Sequence, residues 1–179
     1  MSETTPVTKN LRDGVTTIYD GGDNSVEIAD DEGNLQYTEP PHRPAVLVMD
    51  RGSRSHLRPG DEGVTEGSFT VQYREHVKQG SNPVAPREAL AGVGAASAWA
   101  STNNDGGGVK TVGIKHTVAS PTSGESDEII DFGKCYDIEL EFAEGDPNTL
   151  RVSFKHFGHP AITKAGAGSG TGSGSGSGA

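Results

Sequence analysis

Four stretches of this chain alternate apolar and polar residues with a period of two, and that period decides the fold class. In SFTVQY, Phe69, Val71 and Tyr73 share one face, against Ser68, Thr70 and Gln72 on the other. TVGIKHTV groups Val112, Ile114, His116 and Val118. DIELEF sets Ile138, Leu140 and Phe142 against Asp137, Glu139 and Glu141, and TLRVSFK sets Leu150, Val152 and Phe154 against Arg151, Ser153 and Lys155. Successive side chains on a strand point to opposite faces, so this is the pattern of half-buried antiparallel strands. Weaker strands are expected at 14–20, 24–30 and 45–50.

The last two alternating stretches are joined by AEGDPN, whose Gly, Asp, Pro and Asn mark a hairpin turn. Paired as a hairpin, they set Asp137, Glu139 and Glu141 against Arg151 and Lys155. Such cross-strand opposite charges contribute ~0.2–1 kcal/mol each. A plain solvated sheet face is the simpler account of any one of them.

One segment, 82–102, breaks the pattern. Pro86 suits a first helical turn, and Glu88 sits well near a helix N-terminus. A short helix is predicted near 86–91, broken at Gly92-Val93-Gly94, with a further turn toward Trp99. The expected architecture is therefore mainly β, an antiparallel sandwich or barrel-like domain flanked by one short helix. Residues 1–10 are polar and read as a loose N-terminus. Residues 11–160 form the domain, enough chain for one modest core. Residues 161–179 read as a Gly/Ser-rich tail, with seven glycines in the last fifteen positions and too little apolar side chain to bury.

Composition narrows the function classes. The net charge is -10, and no basic patch or stripe marks a tight nucleic-acid binder. There is no signal-peptide pattern and no apolar run of membrane-spanning length. The single cysteine, Cys135, forms no disulfide within the chain and reads as a packed side chain. A soluble protein made in a reducing cytoplasm is expected. No catalytic motif, phosphate loop or calcium loop is present. DDEGN at 30–34 reads as a turn. Of the six histidines, His156 and His159 fall close together in HFGH, but their spacing does not favour shared metal ligation; no metal and no cofactor is expected. Trp99 reads as a packing residue.

Residues 49–63, MDRGSRSHLRPGDEG, stand out as a charged, glycine-punctuated connector between two apolar strands. In a monomer, a solvated excursion is the simple account of it. The surrounding order of motifs adds a second one. Glu32, Gly33, Asn34, Leu35, Tyr37, Thr38 and Glu39 are followed by Asp50, Arg51 and Gly52, then Gly60, Asp61 and Glu62, then Ser68 and Phe69. Downstream come EALAGVGAASAWASTNNDG (88–106) and GKCYDIELEFAEGDPNTLRVSF (133–154). This series resembles the tail tube proteins of long-tailed bacteriophages, over roughly 11–158. The prolines of TEPPHRPAVLV and the Gly/Ser tail depart from that pattern.

The resemblance implies a structural, non-enzymatic subunit. It implies hexameric rings that stack head-to-tail into a hollow tube of the virion tail, made in the host cytoplasm. The implied partners are further copies of the chain, the tail-tip or baseplate proteins, the terminator and the tape measure, with DNA passing through without tight binding. Asp50, Arg51, Arg54, Arg58, Asp61 and Glu62 would then lie at contacts between subunits. Glu139 and Glu141 would face the channel. Each Lys/Arg–phosphate contact adds affinity, so a conduit lined with acidic excess lets DNA slide. The rival is a β-sandwich binding or decoration module of a virion or cell surface, with a ligand cleft near Trp99. A related secretion-system or contractile tube would share the ring architecture.

Overall fold

The computed structural model describes residues 14–28, 34–50, 53–73, 84–104, 108–120, 126–145 and 148–165. Ten strands and one short helix form the described chain: β1 (Gly14–Tyr19), β2 (Ser25–Ile28), β3 (Gln36–Thr38), β4 (Ala45–Asp50), β5 (Ser53–Pro59), β6 (Val64–Gln72), α1 (Pro86–Ala91), β7 (Val112–Val118), β8 (Glu128–Ala143), β9 (Thr149–Phe157) and β10 (Ala161–Lys164). All the pairings are antiparallel. The main sheet runs β2-β1-β7-β8-β9-β6-β3, with β10 also on β8, while β4 and β5 make a separate two-stranded sheet.

The long strand β8 explains the layered shape. Its first part pairs β7 on one edge and β10 on the other, with Lys115 and Ala161 both opposite Asp131. Its second part pairs β9, with Leu140 opposite Val152. Register shifts at Val112/Ile114 and at Tyr136/Glu139 bend it between these partners, and Asp137 takes a positive φ of 48° at the second shift. Bulges of this kind increase local twist and bend a strand. The sheet folds onto itself: Phe132 of β8 meets Tyr37 of β3 at 5.3 Å and Phe154 of β9 at 5.1 Å, both edge-on. Ile18, Val26, Ile28, Phe69, Val71, Ile114, Ile130, Leu150 and Val152 complete this β-sandwich-like core.

The alternation holds where strands cover this core. Phe69, Val71, Ile114, His116, Val118, Leu150, Val152 and Phe154 are buried. His116 lies within the apolar face with its Nδ1 2.9 Å from the Thr16 hydroxyl. Cys135 is buried too, its Sγ donating to the Phe132 carbonyl, and burial pushes its thiol pKa well up. The alternation predicts Tyr73 and Phe142 as inward as well, and here the structure differs. They are 45% and 51% exposed and touch each other edge-on at 5.6 Å. Both sit at strand ends outside the core cluster, and Arg87 lies over the Phe142 ring at 5.7 Å.

The helix forms as its local chemistry directs. Pro86 opens it, and the Ala85 N–H donates to Glu88 Oε2 at 3.3 Å. Gly92 closes it in the left-handed region at φ 64°, its N–H donating to the Glu88 carbonyl at 2.8 Å. A 3-10 turn at Gly94–Ala96 follows the break. Ala89 and Leu90 pack into the core, and Trp99 packs against it.

Two expected boundaries move. Residues 53–59 are not connector but strand β5, so the apolar run 45–50 is one arm of a hairpin rather than the end of an element. The sheet also continues past residue 160, where the tail was expected to start: Ile162 of β10 pairs Ile130 of β8. No described helix is long and apolar enough to cross a membrane.

Candidate functional site

Two surfaces stand out among the described residues. The first is the β4–β5 hairpin. Its strands pair Val46 with Arg58, Leu47 with Leu57 and Val48 with His56, with a register shift after Val48. Its root is closed by the Gly60 N–H donating to the Pro44 carbonyl at 2.8 Å. Among the described strands, none pairs with either arm except the other. Its apolar side chains are not core: Met49 is 54% exposed and Leu57 67%, with Val46 and Leu47 also exposed. A two-stranded hairpin is marginally stable in water by itself. A row of exposed apolar residues on one is a docking surface or an aggregation liability.

Five of the six residues expected at subunit contacts fall on or beside this hairpin. Asp50 ends β4, and Arg54 stands in β5 opposite Met49. Arg51 lies outside the described residues. Arg58 is exposed on β5, and Asp61 and Glu62 are exposed in the short link to β6. The weaker strand expected at 45–50 thus forms, with Leu47 and Leu57 sharing one face and Val46 and the exposed Arg58 the other. A charged connector and an apolar run read as two features when only one dimension is available. Hairpin pairing sets Arg58 directly across from Val46.

The second surface is the outer face of β3, β6, β8 and β9. Glu139 and Glu141 are exposed there, Glu139 opposite Ser153 and Glu141 opposite Arg151. Asp137 accepts from Lys155 Nζ at 3.2 Å, a contact that raises the Lys155 pKa. Glu66, Asp137, Glu139, Arg151 and Lys155 line one open polar groove on this face. Acids and bases are interleaved along it, with a modest acidic excess. The cross-strand complementarity expected of this hairpin is present.

The cleft beside Trp99 is small. Leu90, Trp99, Thr111, Val112 and Ile138 line a cavity of about 110 Å³. Sites for small organic ligands run roughly 300–1,000 Å³. Trp99 is therefore in a packing position, as the sequence suggested.

A third locality was not anticipated. Glu39, just after β3, brings Oε2 to 2.8 Å from His159 Nδ1 and 3.0 Å from His42 Nε2. The two imidazoles stack at 3.8 Å with 7° between their planes. The close pair in HFGH does separate as its spacing indicates: His156 Nδ1 faces the Lys134 carbonyl at 3.3 Å, while His159 turns to Glu39. The Glu39–His159 partnership spans 120 positions and leaves no local pattern.

No family model matches the chain, and no curated protein matches it.

Proposed function

We propose that this chain is the structural subunit of a phage tail tube. It assembles as hexameric rings stacked head-to-tail, and the acidic channel of the stack conducts DNA. The virion tail is its place, and it performs no chemistry. The observation that carries the proposal is the β4–β5 hairpin, which offers Val46, Leu47, Met49 and Leu57 to solvent beside charged residues. A second copy of the chain is the occupant that the resemblance to tail tube proteins supplies. Exposed ion pairs alone give ~0–1 kcal/mol each. Burying a Leu or Met side chain gives ~1.5–3 kcal/mol, so the exposed apolar side chains hold the contact and the charges orient it. Around the ring such a contact between unlike surfaces closes after six copies, whereas between stacked rings it does not close on itself, and that generates a filament.

The rival binding module wants a ligand cleft near Trp99, and the cavity there is too small for one. The test is negative-stain electron microscopy of the purified protein over a concentration series, repeated with a tail-tip complex as nucleator. Rings or hollow tubes are expected. Uniform small particles under both conditions overturn the proposal.

A further inference from the structure

We propose that Glu39, His42 and His159 form a binding site for a divalent first-row transition metal ion of the zinc type. Their ligand atoms all lie within 4.8 Å of one another. Two imidazole nitrogens and one carboxylate oxygen are a donor set that such ions accept, with a fourth position left for water. This site is independent of whatever the chain assembles into.

The distances come close to what coordination needs. Metal–ligand bonds of about 2.0–2.1 Å in a tetrahedron put neighbouring donors about 3.3 Å apart. Glu39 Oε2 is 2.8 Å from His159 Nδ1 and 3.0 Å from His42 Nε2. The carboxylate must therefore withdraw by a few tenths of an ångström as the ion enters between it and the two rings. Parallel rings cannot both aim a lone pair at one ion, so one ring must turn. His42 is the ring that can, since its side chain is 72% exposed while those of His159 and Glu39 are 34% and 21% exposed.

The backbone around the three ligands is already held. Glu39 and His42 are separated by Pro40 and Pro41, whose rings restrict φ. Gly158, at φ 77°, donates its N–H to the Gly63 carbonyl at 2.9 Å and accepts from the Thr65 hydroxyl at 2.6 Å. Gly63 is itself packed against Pro40, where a Cβ would collide. The strand β6 start therefore fixes both ligand-bearing segments relative to each other. A bound ion would tie the link from β3 into the hairpin to the link between β9 and β10.

The test uses the full chain, free of any affinity tag and stripped with a chelator. Cobalt(II) is titrated and followed by its visible d–d bands, and zinc(II) by calorimetry. One ion per chain is expected, with the intense bands of a tetrahedral site, displaced by zinc. His159→Gln and Glu39→Gln are each expected to raise Kd by about a hundredfold or more. His42→Gln does the same at a position too exposed to threaten the fold, and His156→Gln leaves binding unchanged. No saturable binding up to about 1 mM cobalt overturns the proposal. So does binding that survives His42→Gln and His159→Gln in chains shown by circular dichroism to be folded.

Discussion

Replacing Asp20 with Asn tests the energetics of the fold at a buried carboxylate that accepts four hydrogen bonds. Asp20 is 2% exposed at the end of β1. Its Oδ1 accepts from the N–H groups of Gly22 at 2.9 Å and Asn24 at 3.0 Å. Its Oδ2 accepts from Asn24 Nδ2 at 2.8 Å and from the Ala100 N–H at 2.9 Å. One carboxylate thus closes the β1–β2 turn and anchors the segment after the helix. Burial by itself would raise its pKa, but the Asn24 amide and the three backbone N–H groups outweigh it and hold the carboxyl below its usual value. In Asp20→Asn, the amide nitrogen cannot accept, so at least one backbone N–H in one pair of donors loses its partner whichever way the side chain is placed. The other pair keeps only a neutral acceptor. Hydrogen bonds to a charged group give ~1.5–3 kcal/mol net and neutral ones ~0.5–1.5. Water can reach the exposed Gly22 and Asn24 and recovers part of the loss. A cost of about 2–4 kcal/mol follows. For a domain of this size, 1 kcal/mol moves Tm by ~2–4 °C, so a cost of about 3 kcal/mol lowers Tm by ~6–12 °C.

The assay is urea and thermal unfolding of both proteins by circular dichroism between pH 7 and pH 3. A group with a lowered folded pKa stabilises the fold above its unfolded pKa, about 3.9 for Asp, and that contribution is lost as pH falls through the folded value. Asn carries no such titration. The gap between the two proteins is therefore full at neutral pH and narrows below about pH 4. A gap under about 0.5 kcal/mol at pH 7, or one that does not narrow in acid, refutes the reasoning.

Three further outcomes are expected. Leu57→Glu, at a residue 67% exposed, changes subunit stability by no more than about 0.5 kcal/mol but abolishes tube formation in micrographs; tubes of normal length would remove the hairpin from the contact. Glu139→Lys with Glu141→Lys leaves the circular dichroism spectrum unchanged and slows DNA ejection; unchanged ejection would mean that these acids do not line the channel. Gly67→Ala drives a methyl into the Phe154 ring, which is itself buried, and lowers stability by ~1–3 kcal/mol in urea unfolding; a neutral result would show that the ring has room to move.

Strand identity was legible in the sequence because it rests on a local period. Leu150, Val152 and Phe154 are buried as their alternation requires, and Glu141 meets Arg151 as the hairpin pattern suggests. The helix at 86–91 was legible for the same reason: Pro86, Glu88 and Gly92 set its ends through contacts a few residues apart. What alternation cannot state is where a strand outruns its cover. Tyr73 and Phe142 obey the period, yet sit beyond the core.

Only tertiary structure decided that 45–50 and 53–59 form a hairpin apart from the main sheet. A run of apolar residues looks alike whether a second layer covers it or a partner must. Only tertiary structure brought Glu39 and His42 to His159, because two loops distant in sequence meet where β6 begins. The sequence determined which residues become strands and which faces they own, since those follow from neighbours two to four positions away. The fold decided which of those faces are left uncovered, because burial depends on every other strand in the sheet.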